Sequence, residues 1–253
     1  MANYVLFPGG ASGHRASTPD TASNSITGDF GIILGLSFDD VPPDGKNKVL
    51  AAKFVSGSQA WILYINGTDG VLDGQPQAYI ENAAGSFIEP LSSATLSSVG
   101  ITAGQIFGLG MTVDVDNGAA GTTSKFWYST DYNTTSKSGT WVSLAIDVDA
   151  LISNIRNSTD PVWWGEFNAT DAATDTFKGK LYVGQLYSGI GADTAPGQGT
   201  LVNELWAQDA PNAATSWVSS ATGETYTLTG ATLVGDAVAT GPMYYPQKVF
   251  YPV

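Results

Sequence analysis

The stretch Ala60-Trp61-Ile62-Leu63-Tyr64-Ile65 decides the reading of this chain. Side chains along a strand alternate between faces, so Trp61, Leu63 and Ile65 share one side while Ile62 and Tyr64 share the other. Both sides are apolar, as in a central strand covered on both faces. Phe126-Trp127-Tyr128 and Leu181-Tyr182-Val183 repeat the pattern, and two sheets stacked about 10 Å apart would supply the cover.

Outward from these stretches, Gly, Pro, Ser and Thr interrupt the chain every ten residues or so, and the intervals are rich in β-branched and aromatic residues. That is an all-β rhythm. Strands are expected at Tyr4 to Phe7, Phe30 to Phe38, Val49 to Val55, Trp61 to Ile65, Ala78 to Ile80, Ile106 to Val115, Phe126 to Ser129, Trp141 to Ile146, Val162 to Phe167, Leu181 to Leu186, Leu201 to Ala207 and Tyr226 to Leu228. Asn66-Gly67, Asp69-Gly70, Asp73-Gly74, Asn117-Gly118 and Thr229-Gly230 read as hairpin ends, because glycine takes positive φ without strain. One helical signature stands out: Val148, Leu151, Ile152 and Ile155 are spaced i, i+3, i+4 and i+7, which predicts at most one short helix. No repeat and no composition break divides the chain, so residues 1–240 are expected to form one all-β, two-sheet sandwich domain. Residues 241–253 hold three prolines without amide donors and read as an extended aromatic tail.

Of the 253 residues 43% are hydrophobic and 13% charged, with a net charge of −13. Such a field repels phosphate backbones, so no nucleic-acid partner is expected. Arg15 and Arg156 are the only arginines, which leaves few guanidinium forks for phosphate or carboxylate. The absence of cysteine excludes disulfides, thiolate metal sites and thiol nucleophiles. The N-terminal sequence MANYVLFPGG lacks a basic, long apolar leader, and no run approaches ~18 apolar residues, so neither a secretory signal nor a membrane span is expected.

Little in the sequence points to catalysis. Retaining glycosidases need two carboxyls about 5 to 5.5 Å apart, and none of Glu81, Glu89, Glu166, Glu204 and Glu224 opens a Glu-x-Asp-x-Glu pattern. His14 is the sole histidine, and no serine sits in a nucleophile elbow. Gly31 to Gly35 and Gly104 to Gly110 lack the phosphate-binding signatures. Asp114 and Asp116, at i and i+2, could offer oxygens to calcium or could be solvated carboxylates before an Asn-Gly turn; the twelve-residue calcium loop is missing. Asp147 and Asp149 repeat the spacing and are read as acids at a helix N-terminus. Trp141 and either Trp163 or Trp164 could stack on a sugar ring, with core packing as the competing use. Sequons occur at Asn66, Asn133, Asn157 and Asn168. No cofactor, no metal and no enzymatic activity are expected.

Several segments together resemble the concanavalin A-like, laminin-G-like sandwiches of tailed-bacteriophage structural proteins. Ala16 to Asp20 followed by Ser25 to Asp29 looks like the opening strand pair, and Leu50 to Lys53 with Trp61 to Tyr64 like the next two strands. The most specific stretch is Val113 to Gly121 leading into Lys125 to Thr130 and Gly139 to Trp141. Phe177 to Tyr182, Thr215 to Trp217 and Thr222 to Tyr226 resemble the closing strands. The resemblance implies an antiparallel two-sheet jelly-roll sandwich over residues 1–240 and a non-enzymatic virion protein, chiefly a capsid decoration protein, that contacts other virion proteins or its own copies. The alternative is a carbohydrate- or host-receptor-binding module of a fibre or tail. Tyr244, Tyr245, Phe250 and Tyr251 are the expected interaction residues, since large amphipathic side chains are enriched in interface cores.

Overall fold

The structure, a computed structural model, describes residues 2–10, 13–40, 47–55, 57–67, 74–119, 121–166 and 175–235. The strands are β1 (Tyr4–Gly10), β2 (Arg15–Thr18), β3 (Phe30–Phe38), β4 (Lys48–Val55), β5 (Ser58–Asn66), β6 (Gln75–Glu81), β7 (Phe87–Ile88), β8 (Phe107–Asp114), β9 (Gly121–Ser129), β10 (Val142–Ala150), β11 (Val162–Trp164), β12 (Asp175–Ser188), β13 (Thr200–Trp206), β14 (Ser216–Val218), β15 (Thr225–Thr229) and β16 (Thr232–Val234).

They form two layers. The first runs β10-β9-β8-β3-β12, with β1 and β13 sharing the far edge of β12 and β16 extending β1. The second runs β7-β6-β5-β4-β11-β2-β15-β14. Pairing between strands is antiparallel except at one corner, where Asp175 and Thr176 at the start of β12 run parallel to Lys48 and Val49 of β4 and join the layers. The chain changes layer at nearly every connection early on: β1 and β3 belong to the first, β2 and β4 to the second. This interleaving makes the sandwich a jelly roll.

Alternation explains the core. In β3, Phe30, Ile32, Leu34, Leu36 and Phe38 point inward, joined by Phe107, Leu109, Met111 and Val113 from β8. Trp61, Leu63 and Ile65 of β5, Ala78 and Ile80 of β6 and Trp164 of β11 meet them from the second layer. The Phe30 and Trp61 rings lie 6.0 Å apart across the layers. Full burial of such a side chain contributes roughly 1.5–3 kcal/mol. Trp164 needs Gly184 opposite, where a Cβ would come within 2.8 Å of the indole ring.

Two polar links pin the layers and the rim. The Tyr226 hydroxyl bonds Asn203 Oδ1 inside the core. Lys53 points inward beside Trp61 and is fully buried, its Nζ donating to Asp20 and to Asn24 Oδ1 at 3.0 Å. Burial lowers the lysine pKa, and Asp20 opposes that shift. The pair fastens the 19–29 loop to the edge of the core.

Several expectations need correction. Residues 148–157 hold no helix: Val148 is exposed on β10 and Leu151 lies just beyond it, whereas Ile152 and Ile155 enter the core from an irregular segment. The helical spacing is a coincidence between an edge strand and a loop, and the backbone of Ile152 donates to Thr122 Oγ1 at 3.1 Å instead of to a helical turn. Thr229-Gly230 is no hairpin end, because β15 pairs with β2 and β16 with β1, so the turn carries the chain from one layer to the other. Ser25 to Asp29 forms no strand. The short strands β7 and β16 lie outside the expected segments, whereas β2 and β14 fall where the resemblance places strands, at Ala16 to Asp20 and Thr215 to Trp217. Residues 236–253, with Tyr244, Tyr245, Phe250 and Tyr251, lie outside the described residues, as do Phe167 and Asn168.

Candidate functional site

The sandwich has two outer faces, and they are built to different ends. On the first layer, Gly31 and Gly35 of β3 and Gly108 and Gly110 of β8 leave a bare backbone floor. Tyr132 lies so close that a Cβ would sit 2.5 Å from its ring at Gly35 and 2.7 Å at Gly108. Pro196 covers Gly110 and Ile190 covers Gly31 in the same way. The glycines that hold no phosphate motif therefore serve close packing of two loops, 131–141 and 189–199. Tyr132, Ile33, Tyr182, Val183, Tyr187 and Ile190 make a second apolar cluster there.

Charge locks this cover in place. Glu204, fully buried, accepts from Lys137 Nζ at 2.9 and 3.0 Å and from Gln185 Nε2 at 2.6 Å. The Lys137 ammonium also stands 4.2 Å over the Trp206 ring. Burial, with Glu204 nearby, pushes the Tyr187 hydroxyl up to about 12. At the loop's start, Asp131 accepts from Ser129 Oγ, Thr140 N and Thr140 Oγ1, each at 2.7 Å, which holds its carboxyl down to about 2. The Thr112 hydroxyl ties the other loop through the Ala192 carbonyl at 2.9 Å.

The second layer presents an open recess. Register places Val49 opposite Tyr64 and Ile62 opposite Tyr79, all on the outer side of β4, β5 and β6. Phe54 follows Ala52 on the outer side of β4 by ordinary alternation and joins the same group. Its ring meets Tyr79 edge-on at 5.8 Å, and Tyr79 stacks on exposed Phe87 at 5.0 Å. Asn47, Val49, Phe54, Ile62, Tyr64, Tyr79 and Glu89 line a recess of about 160 Å³. The Tyr79 hydroxyl is fixed 2.9 Å from Gln59 Oε1 and 2.8 Å from Glu81 Oε2, and Arg156 neutralises Glu81 at 2.6 Å. Burial and Glu89 both raise the Tyr64 pKa, while its hydroxyl has no hydrogen-bond partner among the described residues. Chemically the described lining offers apolar ring faces, the Tyr64 hydroxyl, the Asn47 amide and the Glu89 carboxylate.

The sequence-expected residues fall elsewhere. Trp163 and Trp164 do point to opposite faces, with Trp164 in the core and Trp163 covered by the Arg15 guanidinium 5.0 Å from its ring. Trp141 packs against Tyr132 at 5.7 Å. None of the three is an open stacking platform. Asp114 Oδ1 accepts from Asp116 N at 3.2 Å and Asp116 Oδ1 from Gly118 N at 3.1 Å, so both carboxylates shape the Asn117-Gly118 turn. Burial and Asp29 raise the Asp114 pKa. Asp147 is at no helix end; its carboxylate accepts from Leu91 N at 2.9 Å. Among the described residues no hydroxyl or carboxylate hydrogen-bonds to His14, whose Nδ1 is buried.

No protein-family model matches the sequence, and no curated protein matches it. Solved structures do. The mouse laminin α1 chain domains LG4-5 align at 15% identity and a TM-score of 0.47 over 74% of this chain and 41% of that one. The Ruminococcus gnavus IT-sialidase CBM40 bound to α2,3 sialyllactose aligns at 14% identity and 0.45, covering 74% and 92%. The ligand-binding domain of botulinum neurotoxin serotype D, in complex with N-acetylneuraminic acid, aligns at 10% and 0.42, covering 74% and 39%. The chain thus spans less than half of the laminin and toxin chains.

Proposed function

We propose that this protein is a non-catalytic binding module whose open second-layer face takes a sugar ring of a surface glycan. The observation that carries the reading is the recess between Phe54, Tyr64 and Tyr79, where apolar ring faces adjoin polar Asn47 and Glu89. Sugars bind to such surfaces by laying C–H faces on aromatic rings while their hydroxyls bond a few polar groups. The volume is below the roughly 300–1,000 Å³ of enclosed ligand pockets, which suits contact with one ring of a longer chain. A glycan panel titrated with fluorescence detection tests this. Binding to wild type that Tyr64→Ala weakens about tenfold or more supports it, and a flat response across the panel counts against it.

A second reading, a virion decoration protein acting through protein contacts, is favoured by β10. This nine-residue edge strand pairs only with β9 among the described residues and exposes Val142, Ile146 and Val148. Long apolar edges invite pairing with another chain. Banding of the protein with intact particles on a density gradient, followed by mass spectrometry, would support it.

A further inference from the structure

Resting on the reading of the recess as the binding site, we propose that it selects a ligand bearing an alkylammonium group, from an amino sugar or a choline headgroup, over neutral and anionic analogues. Three aromatic side chains, Phe54, Tyr64 and Tyr79, share the recess with Glu89, the only charged residue among its described lining. Aromatic faces carry negative charge density and attract a cation within about 6 Å, more so where water is partly excluded. Glu89 acts on both tyrosines, raising their pKa values, so its field covers the space between the rings. The floor of Val49 and Ile62 suits the methyl or ring C–H periphery of such a cation.

Among the described lining of the recess an anionic sugar has no equivalent anchor. Both arginines of the chain are engaged: Arg15 with Glu166 and the Trp163 ring, Arg156 with Glu81. A carboxylate placed in the recess would face Glu89 inside a chain of net charge −13, and like charges brought together disfavour binding.

The test titrates the full chain, by saturation-transfer NMR in mildly acidic buffer that protonates amines, with glucosamine, N-acetylglucosamine, choline chloride and N-acetylneuraminic acid. Wild type is expected to bind glucosamine or choline about tenfold more tightly than N-acetylglucosamine, as one shielded cation–π contact implies. N-Acetylneuraminic acid is expected to bind least. Glu89→Gln, at an exposed position, should retain the fold and abolish the preference, and salt should weaken it by screening. Choline binding without glucosamine would uphold the ammonium chemistry and overturn the sugar reading. Equal binding of glucosamine and N-acetylglucosamine, both weakened by Tyr64→Ala, would keep the binding face and overturn the ammonium inference. No Tyr64-dependent signal from any of the four would overturn both.

Discussion

The outer faces of the two layers start from the same material, strands with apolar residues on both sides, and part at the side chains that alternate outward. On the first layer, Gly35 and Gly108 make room for Tyr132, and loop 131–141 closes over them. On the second, the corresponding outward positions carry Ile62, Tyr64 and Tyr79, whose bulk props the surface into a recess. A face floored with glycine becomes a second core; a face walled with aromatics becomes a place for something else to sit. Stability should therefore depend on the first face and recognition on the second.

The largest effect is expected from Lys137→Ala, which leaves buried Glu204 with only Gln185 as a side-chain donor among the described residues. Removing one member of a buried ion pair costs about 3 kcal/mol or more, to be read from urea denaturation. Glu89→Gln on the open face should change stability by less than about 0.5 kcal/mol. Next, Gly35→Ala or Gly108→Ala drives a methyl into the Tyr132 ring and should cost about 1–3 kcal/mol, measured in the same way. A third effect is pH-dependent. The Asp131 carboxyl is depressed from 3.8 to about 2, so its bonds to Ser129 and Thr140 are intact above the ordinary value and are lost as pH falls through the lower one. Nuclear Overhauser contacts between Tyr132 and Gly108 should persist at neutral pH and fade as pH falls to about 2, and Asp131→Asn should remove that dependence. The smallest effect on stability is expected from Ile146→Lys on β10, within about 0.5 kcal/mol. If the edge strand mediates assembly, the same change should reduce association in sedimentation.

Much of the architecture could be read in advance because it follows from local alternation. Trp61, Leu63 and Ile65 are inward as their spacing requires, and β3 runs from Phe30 to Phe38 as expected. The strands that alternation alone does not reveal, β2, β7, β14 and β16, are two to four residues long, too short to show a period. They are strands through their partners more than through their own composition. The apparent helix at 148–157 failed for the converse reason, since periodicity alone cannot tell an edge strand followed by a loop from a helical face.

The site was half visible. The outward placement of Ile62 and Tyr64 was legible in the alternation of β5, but their cover was expected to be another sheet. That Tyr79 and Phe54 join them depends on the β4–β5 and β5–β6 registers, which no single-strand pattern contains. The tryptophans drew attention as the largest rings, and for that same reason the fold spends Trp164 on the core.

The most direct test of the central contrast is to map backbone amide shifts in NMR spectra while titrating a saccharide panel that includes amino sugars. Shifts grouped at Val49, Ile62, Tyr64 and Tyr79, with loop 131–141 unmoved, are the expected result. Shifts centred on Tyr132, Trp141 and Trp206 instead would mean that the glycine-floored face opens to ligand, and the assignment of roles to the two faces would be wrong.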